Sequence, residues 1–195
     1  MIKEKSTKGI TPLDPDENEG LLLTHLTHRT QLDRWEQDNI NEALAWVEER
    51  KPLAILNESF LTLLHKKMFC HVWKWAGKFR KSDKNIGVAW YTISVEIKKL
   101  CDDVSYWIRN KTFSEDEIGV RFHHRLVAIH LFPNGNGRHA RLATDILLEN
   151  VFHKPPFTWG NTKLIQQGDD RKRYIESLIA ADKGDYKKLL LFVRS

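Results

Sequence analysis

The chain has 195 residues, 41% of them hydrophobic and seven of them Trp, which suits one domain with a single core and requires no second domain. The formal net charge of +5 is compatible with nucleic acid, nucleotide phosphates or acidic proteins as partners, but without a recognisable nucleic-acid module we do not expect nucleic acid. Because no apolar run is long enough for a membrane span and residues 1–6 contain no apolar signal region, we expect a cytoplasmic protein with no membrane partner.

Helical periodicity dominates the first part of the chain. Apolar residues recur at helical spacing through residues 31–50, and Pro52 follows them. A second helix is predicted from about Asn57 to Ala76, with Gly77 as its C-terminal stop.

The segment Ile86–Ile93 is rich in β-branched and aromatic residues and lies between two helical stretches, which predicts a short β-hairpin. Such a hairpin can present an exposed edge to an extended peptide, or it can cover the core with Trp90 buried. Ser94 then caps a further predicted helix, in which Ile97, Leu100 and Val104 share one face.

The next predicted helix extends from Ser114 to Leu131. Ser114 and Glu117 have the spacing of a capping box, and Pro133 ends the helical stretch. A second apolar stripe begins at Ala140, so the glycine-rich residues 135–137 are expected just before the N-terminus of another helix.

Three short helices are predicted after the Pro155-Pro156 break, around residues 162–167, 170–183 and 186–193. Gly184 and Asp185 have the character of a helix stop and a helix cap between the last two. The complete pattern predicts an all-α bundle with one hairpin.

Residues 130–141 read His-Leu-Phe-Pro-Asn-Gly-Asn-Gly-Arg-His-Ala-Arg and combine a possible base, a glycine-rich turn and two arginines. Unpaired amides at a helix N-terminus bind anions, and glycines let a phosphate approach the backbone. Arg138 and Arg141, three residues apart, can face one polyphosphate, while His130 is suited to take a proton from a hydroxyl. The segment therefore indicates phosphoryl or nucleotidyl transfer. Alternatively, the arginines are solvated and the histidine is a packed residue.

This segment resembles the signature H-x-F-x-[D/E]-G-N-G-R-x-x-R of the Fic family. The matching positions are His130, Phe132, Gly135, Asn136, Gly137, Arg138 and Arg141. Residues 64–80 and 174–192 are also similar to the family. Residues 11–16 and 133–141 resemble more narrowly the bacterial subgroup called mobile mystery protein B.

The resemblance implies a Fic-type helical bundle over residues 21–195, after an N-terminal extension of residues 1–20, and a β-hairpin flap. It further implies transfer of AMP from ATP to a Ser, Thr or Tyr hydroxyl of a target protein. By the resemblance, His130 is the base, Phe132 packs inward to anchor the loop, and the anion nest consists of Gly135, Asn136 and Gly137. Arg138 would bind the outer phosphates, and Arg141 would bind the terminal phosphate or an inhibitory glutamate. The flap that pairs with the target would consist of Ile86, Gly87 and Val88.

Two departures from the family pattern stand out. Asn134 replaces the acidic residue that binds Mg²⁺ between two phosphates, so we expect weaker or altered metal binding. The inhibitory pattern [S/T]-x-x-x-E-[G/N] of many relatives has no full match. Inhibition is then expected either from the acidic N-terminal stretch or from a separate antitoxin-like protein.

Three alternatives to AMP transfer stay open. The protein is a nucleotide-binding regulator that has lost turnover through Asn134, or it transfers another moiety such as phosphate, UMP or GMP. The third alternative is a zinc site among His123, His124, His130 and His139. The spacing of these histidines argues against zinc, because neighbouring helix positions point in different directions and cysteine partners are absent.

Overall fold

The computed structural model describes residues 18–26, 28–50, 54–161 and 168–195. The N-terminal segment that resembles the subgroup, and the helix predicted at 162–167, lie outside these residues.

Helices form almost all of the regular structure in the described part of the chain, which confirms the all-α class. In order they are α1 (Arg29–Glu48), α2 (Glu58–Phe69), a 3-10 helix (Trp90–Thr92), α3 (Ile93–Asn110), α4 (Glu115–Ile129), α5 (Asn136–Val151), a second 3-10 helix (Trp159–Asn161), α6 (Asp169–Asp182) and α7 (Lys187–Val193). None of the described helices is long and apolar enough to cross a bilayer.

Helix α4 lies at the centre of the bundle and packs against α3, α5 and α7, while α2 bridges α1 and α5. One large core contains side chains from all five helices from α1 to α5. A smaller core joins the C-terminal part of the chain to α4 and α5 through residues such as Val120, Leu148 and Trp159. This arrangement fixes the end of α4 and the start of α5, which flank the signature segment.

Helix α4 begins and ends where its sequence provides caps. The Ser114 hydroxyl accepts the Glu117 N–H at 3.3 Å, and Glu115, Asp116 and Glu117 give the first turn the negative charge that a helix N-terminus favours. At the other end His130 adopts a left-handed conformation with φ 56°, which ends the helix. The histidine of the signature is therefore a helix C-cap.

Helix α2 ends at Phe69, so the predicted extension to Ala76 is wrong. Beyond it the backbone pairs with the N-terminal segment: Leu21 and Trp73 form an isolated antiparallel bridge, and the Leu22 N–H donates to the Val72 carbonyl at 2.8 Å. The Lys74 N–H likewise donates to the Gly20 carbonyl at 2.8 Å, in place of the Cys70 carbonyl that a continuing helix would offer it.

Residues 86–93 do not form the predicted hairpin. A loop leads into the 3-10 helix at Trp90, whose N–H donates to the Asp83 carboxylate at 2.9 Å, and α3 follows directly. The carbonyl and N–H of Val88, which a hairpin ladder would use, bond instead to the Arg80 guanidinium and to the Ile129 carbonyl. Trp90 is 44% exposed, so the alternative of a buried Trp90 is also wrong. We call residues Ile86–Val88 the flap.

Candidate active site

His130 is a neutral, almost buried imidazole. The residue is only 5% exposed. Burial lowers the pKa of the imidazole to about 4, and the positive charges of Arg80 and Lys84 contribute to this shift. A histidine with this pKa carries no proton on its basic nitrogen at neutral pH and can accept one. The Arg80 Nε–H donates to the His130 carbonyl at 2.6 Å and holds the left-handed peptide in place.

The loop after His130 is fixed from below by His65. Its Nδ1 accepts the Gly77 N–H at 2.9 Å, which leaves the proton on Nε2 to donate to the Asn134 carbonyl at 3.1 Å. The ring stacks on Phe132 with centroids 3.6 Å apart, and Phe132 is completely buried. Burial also lowers the pKa of His65, so the ring stays neutral at neutral pH and its two hydrogen bonds select the tautomer.

Asn136 holds the turn closed with its side chain. Its Oδ1 accepts the Phe132 N–H at 2.9 Å, its Nδ2 donates to the Phe132 carbonyl at 2.8 Å, and the residue is 4% exposed. Its amide side chain is thus directed into the loop, and only its backbone N–H is available to an anion nest.

The glycines on either side of Asn136 differ in what they permit. Gly135 is the N-cap of α5 with φ 79°, and a β-carbon there would lie 2.7 Å from two ring carbons of Phe69. A β-carbon on Gly137 would meet nothing closer than the Arg141 Nη1 at 3.7 Å. Gly135 is therefore required by the fold, whereas Gly137 leaves open the backbone at the start of α5.

The first turn of α5 can bind an anion. A helix leaves its first N–H groups, here those of Asn136, Gly137 and Arg138, without intrahelical acceptors, and the helix dipole favours negative charge at this end. The prediction put residues 135–137 just before the helix; the helix begins at Asn136, so two of them lie within its first turn.

Arg138 is already engaged with a buried carboxylate that sequence reasoning missed. Its Nη1 lies 2.7 Å from the Glu36 Oε2, and the Trp73 Nε1–H donates to the other oxygen at 2.7 Å. Glu36 is 1% exposed. A signal for it was present, because Leu32, Glu36 and Ile40 recur every four residues on the inward face of α1, and a carboxylate at such a position requires a partner.

Arg141 is directed by the C-terminal part of the bundle. Its guanidinium lies 5.8 Å from the Tyr174 ring centroid, and the Tyr174 hydroxyl lies 2.9 Å from the His123 Nε2. Burial and the positive charge of Arg141 lower the pKa of His123 to about 3. The pKa of Arg171 is lowered by burial and by Arg141, which means that a third guanidinium lies near the site.

A cavity of about 230 Å³ extends along α5 beside the two arginines. It is lined by Arg138, Arg141, Asp145 and Gln37, and by the apolar side chains of Ile40, Leu44, Met68, Leu142 and Trp159. Both oxygens of Asp145 accept the Trp159 Nε1–H at 3.0 Å, and burial raises the pKa of this carboxyl to about 7.

The residues predicted as a metal site are poorly suited to the task. The Asn134 Oδ1, the atom that would replace a carboxylate oxygen, accepts the Gly135 N–H at 2.6 Å. No cluster of three or more His, Cys, Asp or Glu side chains suited to a metal occurs within the described residues. His124 and His139 have protein partners instead, since their Nε2 atoms lie 2.8 Å from Asp182 and 2.9 Å from the Leu61 carbonyl.

The flap lies directly against the histidine. A β-carbon on Gly87, where φ is 107°, would come within 2.8 Å of both the Arg80 Nη2 and the His130 Cβ. Ile86 is 49% exposed, while Val88 is half-buried and uses both backbone groups, since its N–H donates to the Ile129 carbonyl at 3.4 Å and Arg80 donates to its carbonyl.

Comparisons with known proteins identify relatives of this chain. Residues 55–148 match the sequence model of the Fic/DOC family. The chain is 27% identical over 180 residues to "Protein adenylyltransferase Fic" of Aedes aegypti, covering 86% of this chain and 34% of that one, and 26% identical over 161 residues to the protein of the same name in Nematostella vectensis, covering 79% and 36%. The chain thus spans about a third of the length of these curated relatives.

Solved structures show the same fold. The N-terminal Fic domain of Bep8 from Bartonella sp. 1-1C superimposes with a TM-score of 0.69 at 15% identity, covering 88% of each chain. BepC of Bartonella tribocorum, solved with bound AMPPNP, gives a TM-score of 0.65 at 17% identity, again covering 88% of each chain.

Proposed function

This chain belongs to the Fic/DOC family through residues 55–148, and from that premise we propose that it transfers AMP from ATP to a Ser, Thr or Tyr hydroxyl of a target protein. Relatives named protein adenylyltransferase support this activity at the level of the family. We also propose residues 21–195 as the Fic domain and residues 1–20 as an extension, a boundary supported by the pairing of Leu21 with Trp73.

One observation carries the proposal: the neutral imidazole of His130 ends one helix, and the next helix begins six residues later with unpaired amides and two arginines. The amides of Gly137 and its neighbours would receive a phosphate, with Arg138 and Arg141 at its outer oxygens. These groups provide charge stabilisation at fixed positions, which is most of what phosphoryl-group chemistry requires of a protein.

The reaction follows from this placement. The target hydroxyl oxygen attacks the α-phosphorus of ATP while His130 accepts the hydroxyl proton. The bond from the α-phosphorus to its bridging oxygen breaks, pyrophosphate leaves, and a phosphodiester links AMP to the target. Arg141, held by Tyr174, faces the negative charge of the departing group.

Magnesium is the expected companion of ATP, but Asn134 fits it poorly. The side chain is neutral and its oxygen is engaged with the Gly135 N–H, so phosphate oxygens and water would supply most of the ligands. We therefore assign no step of the reaction to a protein-bound metal.

The test compares wild type with His130→Ala, using α-labelled ATP, cell lysate and the purified chain. His153→Ala is the matched control, because His153 is exposed and has nearly the same left-handed conformation, with φ 53° against 56°. We expect label on protein with wild type and His153→Ala, and none with His130→Ala. Label that persists in His130→Ala would refute the role of the histidine.

The neutral Asn134 favours one second candidate, a nucleotide-binding regulator without turnover. ATP binding by calorimetry, without label on any protein at any tested metal concentration, would indicate the regulator. Comparison of α-labelled with γ-labelled ATP, and of ATP with UTP and GTP, separates AMP transfer from transfer of phosphate, UMP or GMP.

We further propose that the target contacts the flap through the exposed side of Ile86. Both backbone groups of Val88 are used within the protein, so strand addition at Val88 would first break its bonds to Ile129 and Arg80. A separate antitoxin-like inhibitor is proposed as the source of control, and the cavity beside Arg141 offers it an entry point.

A further inference from the structure

We propose that Arg80 is a positioning residue that couples the flap to the backbone of His130, so that a target bound at the flap adjusts the base directly. This inference rests on the proposed function of His130. Arg80 lies outside the signature segment, fifty residues before the histidine, and its side chain is completely buried.

The donors of one guanidinium reach separate segments. Nε donates to the His130 carbonyl at 2.6 Å at the end of α4, and Nη2 donates to the Val88 carbonyl in the flap. Nη1 donates to the Ser82 carbonyl at 2.9 Å and lies 3.6 Å from the Asp83 carboxylate. These contacts join the guanidinium to one carboxylate and to three backbone carbonyls, so the side chain positions the backbone at His130, Val88 and Ser82.

Direct packing reinforces this bridge. Gly87 brings the flap backbone so close that a β-carbon would lie 2.8 Å from both the Arg80 Nη2 and the His130 Cβ. His130 has a left-handed conformation that L-residues disfavour, so it depends on its surroundings to keep it. Any shift of the flap thus changes the position of the guanidinium and of the strained residue together.

Arginine is required here for its shape. A planar guanidinium presents donors in fixed directions to several carbonyls, whereas an ammonium is a point charge on a flexible chain. Arg80→Lys therefore keeps the positive charge near His130 and removes the bridge. Arg80 and Lys84 are the charged groups that depress the pKa of His130 beyond burial, so Arg80→Lys should leave this pKa below its ordinary value.

The experiment observes the imidazole of His130 by long-range ¹H–¹⁵N NMR, with His130→Gln for assignment, in the full chain. Arg80→Lys disturbs the bridge from the guanidinium and Gly87→Ala from the flap. Arg194→Lys is the matched control for the first, since Arg194 also binds two carbonyls and a carboxylate, at Pro155, Pro156 and Asp116. Gly184→Ala is the control for the second, because Gly184 has φ 85° and an added β-carbon meets nothing within 4 Å.

Arg80→Lys and Gly87→Ala are both expected to move the His130 ring resonances, and the two controls are expected to leave them in place. Target modification should lose about a hundredfold in kcat, as for a catalytic group displaced by about 1 Å, with the Kd for ATP unchanged. Unchanged His130 resonances in folded Arg80→Lys and Gly87→Ala would overturn the proposal. If Arg80→Lys does not fold, unchanged His130 resonances in folded Gly87→Ala would still overturn the proposal. Because the NMR readout requires no turnover, a wild type that transfers nothing would refute the proposed function and leave the coupling measurable.

Discussion

Gly135 and Gly137 are separated by one residue, and replacement by Ala is expected to have opposite effects on stability at the two positions. In Gly135→Ala the left-handed φ of 79° costs about 1–2 kcal/mol. The β-carbon 2.7 Å from the Phe69 ring adds an overpacking cost of about 1–3 kcal/mol. We expect a loss of about 2–5 kcal/mol in the free energy of unfolding.

Gly137→Ala should instead stabilise the protein by about 0.5–1 kcal/mol, since alanine is the better residue within a helix and its methyl group has room. The same methyl group stands where a phosphate would approach the amides, so we expect ATP binding to weaken by about tenfold or more. A variant that is more stable and binds less tightly separates function from folding at one atom.

Urea unfolding followed by Trp fluorescence measures the stability changes, and calorimetry measures ATP binding. Gly184→Ala, with a similar φ of 85° and open space, measures the conformational cost alone, so its difference from Gly135→Ala gives the cost of the Phe69 contact. Equal stability of Gly135→Ala and Gly184→Ala would contradict the Phe69 contact cost, and ATP binding by Gly137→Ala as tight as that of wild type would contradict the phosphate approach at Gly137.

Three further changes test other parts of the site. Asn136→Ala leaves the buried N–H and carbonyl of Phe132 without their partner, so urea unfolding should show a loss of about 2–4 kcal/mol, and an unchanged midpoint would contradict this. The pKa of Asp145 is about 7 in the folded protein against an ordinary value of 3.8, so its contribution to stability is complete below pH 4 and is lost as the pH rises through 7. Relative to Asp145→Asn, wild type should therefore lose up to about 1.4 kcal/mol of unfolding free energy per pH unit in this range. Parallel pH profiles of the two proteins would refute this. Asn134→Asp adds a charged oxygen beside the Gly135 N–H bond, so metal-dependent transfer should be kept or raised, and complete loss of turnover would count against residue 134 as the metal position.

Local signals in the sequence predicted most of the helices, although the predicted cap at Ser94 is wrong, because α3 begins at Ile93 with Thr92 as its N-cap. Ser114 caps α4 as its spacing with Glu117 indicates, and Gly184 follows α6 with a positive φ, as expected of a helix stop. These features depend on residues within one or two turns, so a single sequence contains the information they require.

Predictions failed where distant backbone segments compete for hydrogen bonds. After Phe69 the backbone pairs with residues 20–22 and does not continue the helix, and Arg80 binds the Val88 carbonyl that a hairpin would have used. Neither partner can be identified from periodicity, because the interacting residues are too far apart along the chain.

The supporting residues of the site were not predicted for the same reason. The signature segment itself could be identified from its own residues. His65 and Glu36, which hold the Asn134 loop and Arg138, lie 69 and 102 residues from their partners. The one sequence signal for Glu36 is its position at helical spacing between the apolar residues Leu32 and Ile40, which predicts a carboxylate on the buried face of α1.

The ion pair between Glu36 and Arg138 also determines how far the chain can be shortened from its N-terminal side, because a fragment must keep helix α1 to retain the pair. Helix α1 precedes residue 55, where the family match begins, yet it supplies the only counter-ion that an Arg138 side chain contacts among the described residues. A fragment trimmed to the matched region would retain every letter of the signature and strand a largely enclosed cation. Such a fragment should express poorly or bind nucleotide differently, for a reason unrelated to its chemistry.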